Sequence, residues 1–166
     1  MTIVPQAARD SAPPVDILVQ SPLWDAEPRT EETVLAAIAA AAAMVSTSGG
    51  EVSIVLADDS AVQALNRQWR GLDKPTNVLS FLAAGGGDVM LGDIVMSYET
   101  LKRECDDEGK AFLHHLAHLT VHGFLHLAGY DHETDEQADE MEGLESEIMT
   151  RMNMPDPYLS AGEGNA

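Results

Sequence analysis

Two spacings of apolar residues divide the chain. Residues 15–19 (VDILV) form a short β-branched run and 51–57 (EVSIVLA) alternate apolar with polar, which predicts two strands. Residues 78–82 and 89–96 predict two more, and Gly85, Gly86 and Gly87 between them predict a turn joining sheet neighbours. Elsewhere the apolar positions recur every three to four residues. Thr30 is placed to cap a helix over 33–45, whose alanine-rich stretch 35–43 favours helix and lets neighbours approach closely. Asp58 and Asp59 offer N-caps to a helix through Ala61, Leu65 and Trp69, ended by Gly71 and Pro75. The spacing predicts helix across 98–128 with an interruption near Gly109, and a last acidic helix over about 134–152.

Together these elements predict an α/β fold, a single domain over 15–153 with a small mixed β-sheet packed with helices. Residues 1–14, with three prolines and little periodicity, predict a flexible N-terminal arm, and 154–166, with two prolines and two glycines, a flexible C-terminal tail. At 166 residues the chain suits one core. Its longest weakly polar run, 33–45, falls short of the roughly 20 residues that span a bilayer. The N-terminus has neither a cationic start nor the apolar stretch of about 7 to 15 residues of a secretory signal. A soluble, cytoplasmic protein with no membrane partner is expected. The lone Cys105 cannot form an internal disulfide and reads as a bystander thiol on a helix.

The formal net charge of −19 argues against nonspecific nucleic-acid binding, because the average surface repels phosphate. The charge is segregated, however. Arg67, Arg70 and Lys74 are three of the nine Lys and Arg residues and fall within eight positions, whereas acids concentrate after Asp131. A local basic patch therefore remains available to an RNA. The acids of 133–147 read as a solvated helix face.

All six histidines lie between His114 and His132. In HGFLHLAGYDH, His122 and His126 are four residues apart, so on a helix they project from one face and can bind one ion. Gly129 can end that helix in a left-handed conformation and let His132 reach the same ion from the following loop. Three neutral imidazoles suit one Zn²⁺ per chain and leave a fourth position open, as a catalytic site requires. The zinc site is thus expected at the end of a long helix and in the loop after it. His118, one turn before His122, reads either as a partner orienting a ligand or as a hydrogen-bonded core histidine. Asp131 reads either as a group orienting an imidazole or as the cap of the last helix. His114 and His115 read as surface or core residues.

The spacing matches the H-E-x-x-H-x-x-G-x-x-H pattern of metzincin peptidases. In those enzymes the Glu after the first histidine is the general base, and here that position is Gly123. Peptidase chemistry is therefore disfavoured. LNRQWRGLDKPTNVLSF (65–81), LGDIVMS (91–97) and HLTVHGFLHLAGYDH (118–132) together resemble the YbeY family over most of the folded chain. The resemblance implies a zinc-dependent, single-strand-directed endoribonuclease acting in 16S rRNA 3′-end maturation and ribosome quality control. Its implied partners are single-stranded rRNA and the small ribosomal subunit with its proteins. It puts His122, His126 and His132 on the family's zinc ligands and Arg70, the expected catalytic residue, on its basic residue facing the metal groove; Arg67 and Lys74, from the same basic cluster, are expected to position the RNA. Asn77 stands where the family often has Asp, and Leu82 where a proline commonly follows. Two other readings stay open: a non-catalytic, zinc-stabilised ribosome assembly factor, and a zinc hydrolase of another substrate class.

Overall fold

The computed structural model describes residues 12–45, 47, 50–83 and 90–159. The glycine turn expected at 85–87, most of the expected arm and the last residues of the expected tail lie outside the described residues. Four strands, β1 (Val15–Val19), β2 (Glu51–Ala57), β3 (Val78–Leu82) and β4 (Met90–Ser97), stand in the order β1-β2-β4-β3. β1 and β4 each run parallel to β2, and β3 pairs antiparallel with β4, with Ser80 opposite Ile94. The sheet is mixed, as the pattern predicts, and β3 is an edge strand.

Five helices complete the described fold: α1 (Thr30–Met44), α2 (Asp59–Arg70), α3 (Tyr98–Glu108), α4 (Phe112–Leu127) and α5 (Asp135–Arg151), with a 3-10 turn at Pro22–Ala26. α4 packs against α1, α5, β3 and β4, which accounts for its apolar composition. Leu116, Ala117, Val121, Phe124 and Leu125 are wholly buried there. The alanines of α1 do what their size allows: Ala37 and Ala41, with Val34 and Ile38, form the buried stripe in the same core. A smaller core on the other sheet face joins Val62 of α2 to Ala57, Leu79 and Val95.

Local chemistry sets the ends. Asp58 caps α2 by accepting from Ala61 N at 2.9 Å, whereas Asp59 turns instead to Ser97, Thr100 and Arg103. The cap of α1 is Arg29 and not Thr30, whose hydroxyl donates to the Glu27 carbonyl at 2.7 Å. The break between α3 and α4 falls at Gly109, where expected. Cys105 is buried in α3, and burial pushes its thiol up to about 11, so it stays protonated and inert.

The stretch read as a tail from 154 onwards is docked over its described part. Met154 N donates to Met149 O at 2.9 Å, Ser146 Oγ donates to Asp156 at 2.8 Å, and the Tyr158 hydroxyl reaches Glu145. Polar and proline-rich composition hid this, because three specific hydrogen bonds rather than an apolar stripe hold the segment down.

Candidate metal centre

α4 and its C-terminal turn bring three imidazoles to one point. His122 and His126 project one helical turn apart, with Nε2 atoms 3.1 Å from each other. Gly129, at a φ of 105°, then reverses the chain as expected, with Tyr130 N donating back to Leu125 O at 2.9 Å. His132 thereby returns to the pair, and one nitrogen from each ring lies within 4.8 Å of the others.

The hydrogen bonds behind the rings decide what the nitrogens in front can do. Glu145 Oε2 accepts from His122 Nδ1 at 2.8 Å, and the Tyr130 carbonyl accepts from His126 Nδ1 at 3.1 Å. A carboxylate and a carbonyl only accept, so both Nδ1 atoms carry hydrogen and both Nε2 atoms of the neutral rings present lone pairs. Two lone pairs 3.1 Å apart repel unless a proton or a cation lies between them. Ligands about 2.0 Å from a tetrahedral zinc stand about 3.3 Å apart, so the arrangement suits such an ion. Burial, then the neighbouring His122 and His132, hold the His126 pKa below its ordinary value and keep the ring in its ligating, neutral form. The three histidines can hold a metal.

Glu145 is the functional residue that the sequence reading missed. Counted among the solvated acids of 133–147, it is instead completely buried between α5 and α4. His118 Nε2 bonds its Oε1 at 2.6 Å, and the Tyr158 hydroxyl donates to the same oxygen. Burial alone would raise its carboxyl, but the hydrogen bonds from His118, His122 and Tyr158 outweigh that and hold it down to about 2. One signal was available. Met141, Glu145, Ile148 and Met149 follow helical spacing, so this carboxylate occupies the middle of the buried stripe. His118 therefore acts on the cluster through Glu145 and makes no direct bond to His122.

Arg70 ends α2, and Gly71, left-handed at a φ of 72°, turns the chain away after it. With Trp69, Phe81 and the three histidines, Arg70 lines a groove of about 740 Å³ along edge strand β3. Arg67 and Lys74 are exposed but do not line it. Of the eight described Lys and Arg residues, five are in ion pairs, and the three that are not are Arg67, Arg70 and Lys74. Asp131 also borders the groove, but its carboxylate accepts from His132 N at 2.8 Å. It does not cap the last helix: Thr134 does, in a capping box with Gln137.

Asn77 is a structural link in the groove wall. Its amide donates to Glu104 Oε1 at 3.1 Å and accepts from Val78 N at 2.7 Å, while His115 Nε2 holds the same Glu104 oxygen at 2.7 Å. An aspartate there would have no hydrogen to donate to that carboxylate. Gly123 faces the sheet: a Cβ there would come within 2.9 Å of Ile94 Cγ2 and 3.1 Å of Ser80 Oγ. There is no room for the glutamate of a peptidase at this position.

A family described as Endoribonuclease YbeY matches residues 23–153, a span that includes Arg70 and all three clustered histidines. The chain is 54% identical over 162 residues to an endoribonuclease YbeY of Rhodopseudomonas palustris (strain BisB18), covering 92% of this chain and 96% of the relative. The chain belongs to the endoribonuclease YbeY family. A second YbeY, from Nitrobacter winogradskyi, is 52% identical over 160 residues, covering 90% of this chain and 84% of the relative. A solved solution structure from Thermotoga maritima covers 84% of this chain and 91% of its own at 26% identity and a TM-score of 0.48. YbeY membership fits an enzyme that hydrolyses RNA, and the three-histidine group gives such an enzyme a place for a metal. No helix among the described residues is long and apolar enough to cross a membrane.

Proposed function

We propose that this chain is a zinc-dependent, single-strand-directed endoribonuclease acting in the cytoplasm on the 3′ end of 16S rRNA during maturation and quality control of the ribosome. The observation that carries the reading is the convergence of His122, His126 and His132 on one point in a groove that also holds an unpaired arginine. An all-imidazole donor set favours zinc over harder cations, which take oxygen ligands. Held by these three histidines, zinc would supply Lewis acidity, lowering the pKa of a water so that hydroxide is available near neutral pH and polarising a phosphoryl oxygen.

The chain's own residues do the rest. Glu145 and the Tyr130 carbonyl fix the two ring tautomers, so that His122 and His126 present lone pairs without reorganising. Arg70 takes the phosphate through a planar, two-pronged contact and stabilises charge that develops on it. Arg67 and Lys74, near by in sequence and also unpaired, hold the flanking backbone of the strand. In a chain of net charge −19, these three cations give the substrate its approach.

Cleavage of a single-stranded RNA carrying the 16S 3′ end tests this reading. Arg70→Ala is expected to keep its metal and its melting temperature while cleavage falls by about a hundredfold or more, the scale of losing one transition-state donor. Arg70→Lys should recover only part, because an ammonium cannot copy the two-pronged contact. Full cleavage by metal-loaded Arg70→Ala would refute the phosphate role.

A further inference from the structure

The chain has two tryptophans, and they are used differently. Trp24 is 3% exposed and its Nε1 donates to the Ala57 carbonyl at 2.9 Å, the ordinary state of a core indole. Trp69 is 64% exposed. The packing of α2 does not require it, since the buried residues of that helix are Val62 and Asn66. Its ring lies on the groove wall next to Arg70 and is backed by Phe81, with centroids 6.2 Å apart and planes inclined at 60°. Leu82, 66% exposed, extends the same wall.

We propose that Trp69 is a stacking platform for an unpaired nucleobase of the RNA strand whose phosphate Arg70 holds, and that this platform makes the groove select single-stranded RNA. The inference rests on the endoribonuclease reading above and names the group that gives it its strand preference. Two observations on the groove choose a nucleotide as the occupant. An unpaired guanidinium beside the ring, in a strongly acidic protein, asks for an anionic ligand, and an exposed indole face asks for a flat one. A nucleotide carries both within a single unit. In a duplex each base is already stacked and paired, so only an unpaired base can turn a face to the indole.

The two tryptophans make the test direct, because Trp24 serves as an internal control. Metal-loaded protein is mixed in a stopped-flow instrument, and emission is read before turnover. The probes are a single-stranded oligoribonucleotide, its duplex, and an abasic strand of the same length and charge. The base-bearing strand should quench emission, the duplex and the abasic strand should not, and Trp69→Phe, which retains Trp24, should show no response. In steady-state cleavage, Trp69→Leu should raise KM for single-stranded RNA about tenfold to a hundredfold with kcat changed far less. Trp69→Phe, which restores an aromatic face, should recover most of that loss. Equal quenching by the abasic strand, or Leu serving as well as Phe, would overturn the proposal. So would unchanged cleavage of naked RNA by Trp69→Leu, which would assign the ring to a protein partner. If the wild-type protein cleaves no RNA, the endoribonuclease reading fails, and the quenching series still decides whether bases stack on Trp69.

Discussion

His122 and His126 stand one helical turn apart, yet they are held from different parts of the chain. His126 is anchored locally, by the carbonyl of Tyr130 in the turn that ends its own helix. His122 is anchored from a distance, by a carboxylate 23 residues further on, itself held by His118 and by Tyr158 from the C-terminal segment. The local half of the site depends on backbone geometry. The distant half depends on the docking of α5 and the segment after it, so the metal centre and the tertiary packing of the C-terminal third are mechanically one unit.

Substituting the two anchors separates these halves. Glu145→Ala should weaken metal binding about 10- to 100-fold, the effect of removing the partner behind a ligating histidine. It should also lower stability by about 1–3 kcal/mol for each polar group left without an acceptor in the interior. Tyr130→Ala keeps the carbonyl and should change metal affinity only a few-fold. A competition titration against a chromophoric chelator reads both, and equal losses would contradict the division into a local and a distant half.

His115 offers a smaller contrast within the same helix. It is buried and tied to Glu104 and, through it, to Asn77, but it makes no bond to the three clustered histidines. His115→Ala should therefore lower the melting temperature by several degrees, since about 1 kcal/mol shifts a domain of this size by a few degrees. Metal bound per folded chain should not change. Loss of metal with the fold intact would extend the site to a residue that the geometry leaves outside it.

Acid acts on the buried histidines and on Glu145 in different pH windows. Burial lowers the pKa of His115, and burial with the neighbouring His122 and His132 lowers that of His126. These rings are neutral when folded but gain a proton when unfolded, so their stabilising effect is full above about 6.5 and is lost as pH falls below it, until the lowered folded value is reached. Glu145, ionised down to about 2, contributes fully above its ordinary value of 4.5 and loses that contribution as pH falls from there towards 2. Thermal melts of the metal-free protein should decline in these two successive windows. A melting temperature unchanged from pH 7 to pH 5 would contradict the first, and one unchanged below pH 4.5 the second.

What could be read in the sequence follows the same division. The four strands, the break at Gly109 and the three histidines are encoded within short windows, where spacing alone carries the information. Glu145 was hidden because α5 carries many acids, and only the docking of its Met141, Ile148 and Met149 stripe decides which one is turned inward. Tyr158 was hidden for a related reason: its role comes from a partner on α5 and not from its own neighbours. Asp131 was read as a possible cap because the start of α5 is poorly fixed by periodicity, and the cap stands three residues later, at Thr134.

The function proposed for the groove depends on His122, His126 and His132 holding one metal ion. Elemental analysis of purified His122→Ala/His126→Ala protein, compared with wild type, tests this most directly. About one zinc per wild-type chain is expected and almost none in the double variant, with the fold retained by circular dichroism. Zinc kept at one equivalent in the double variant would contradict it.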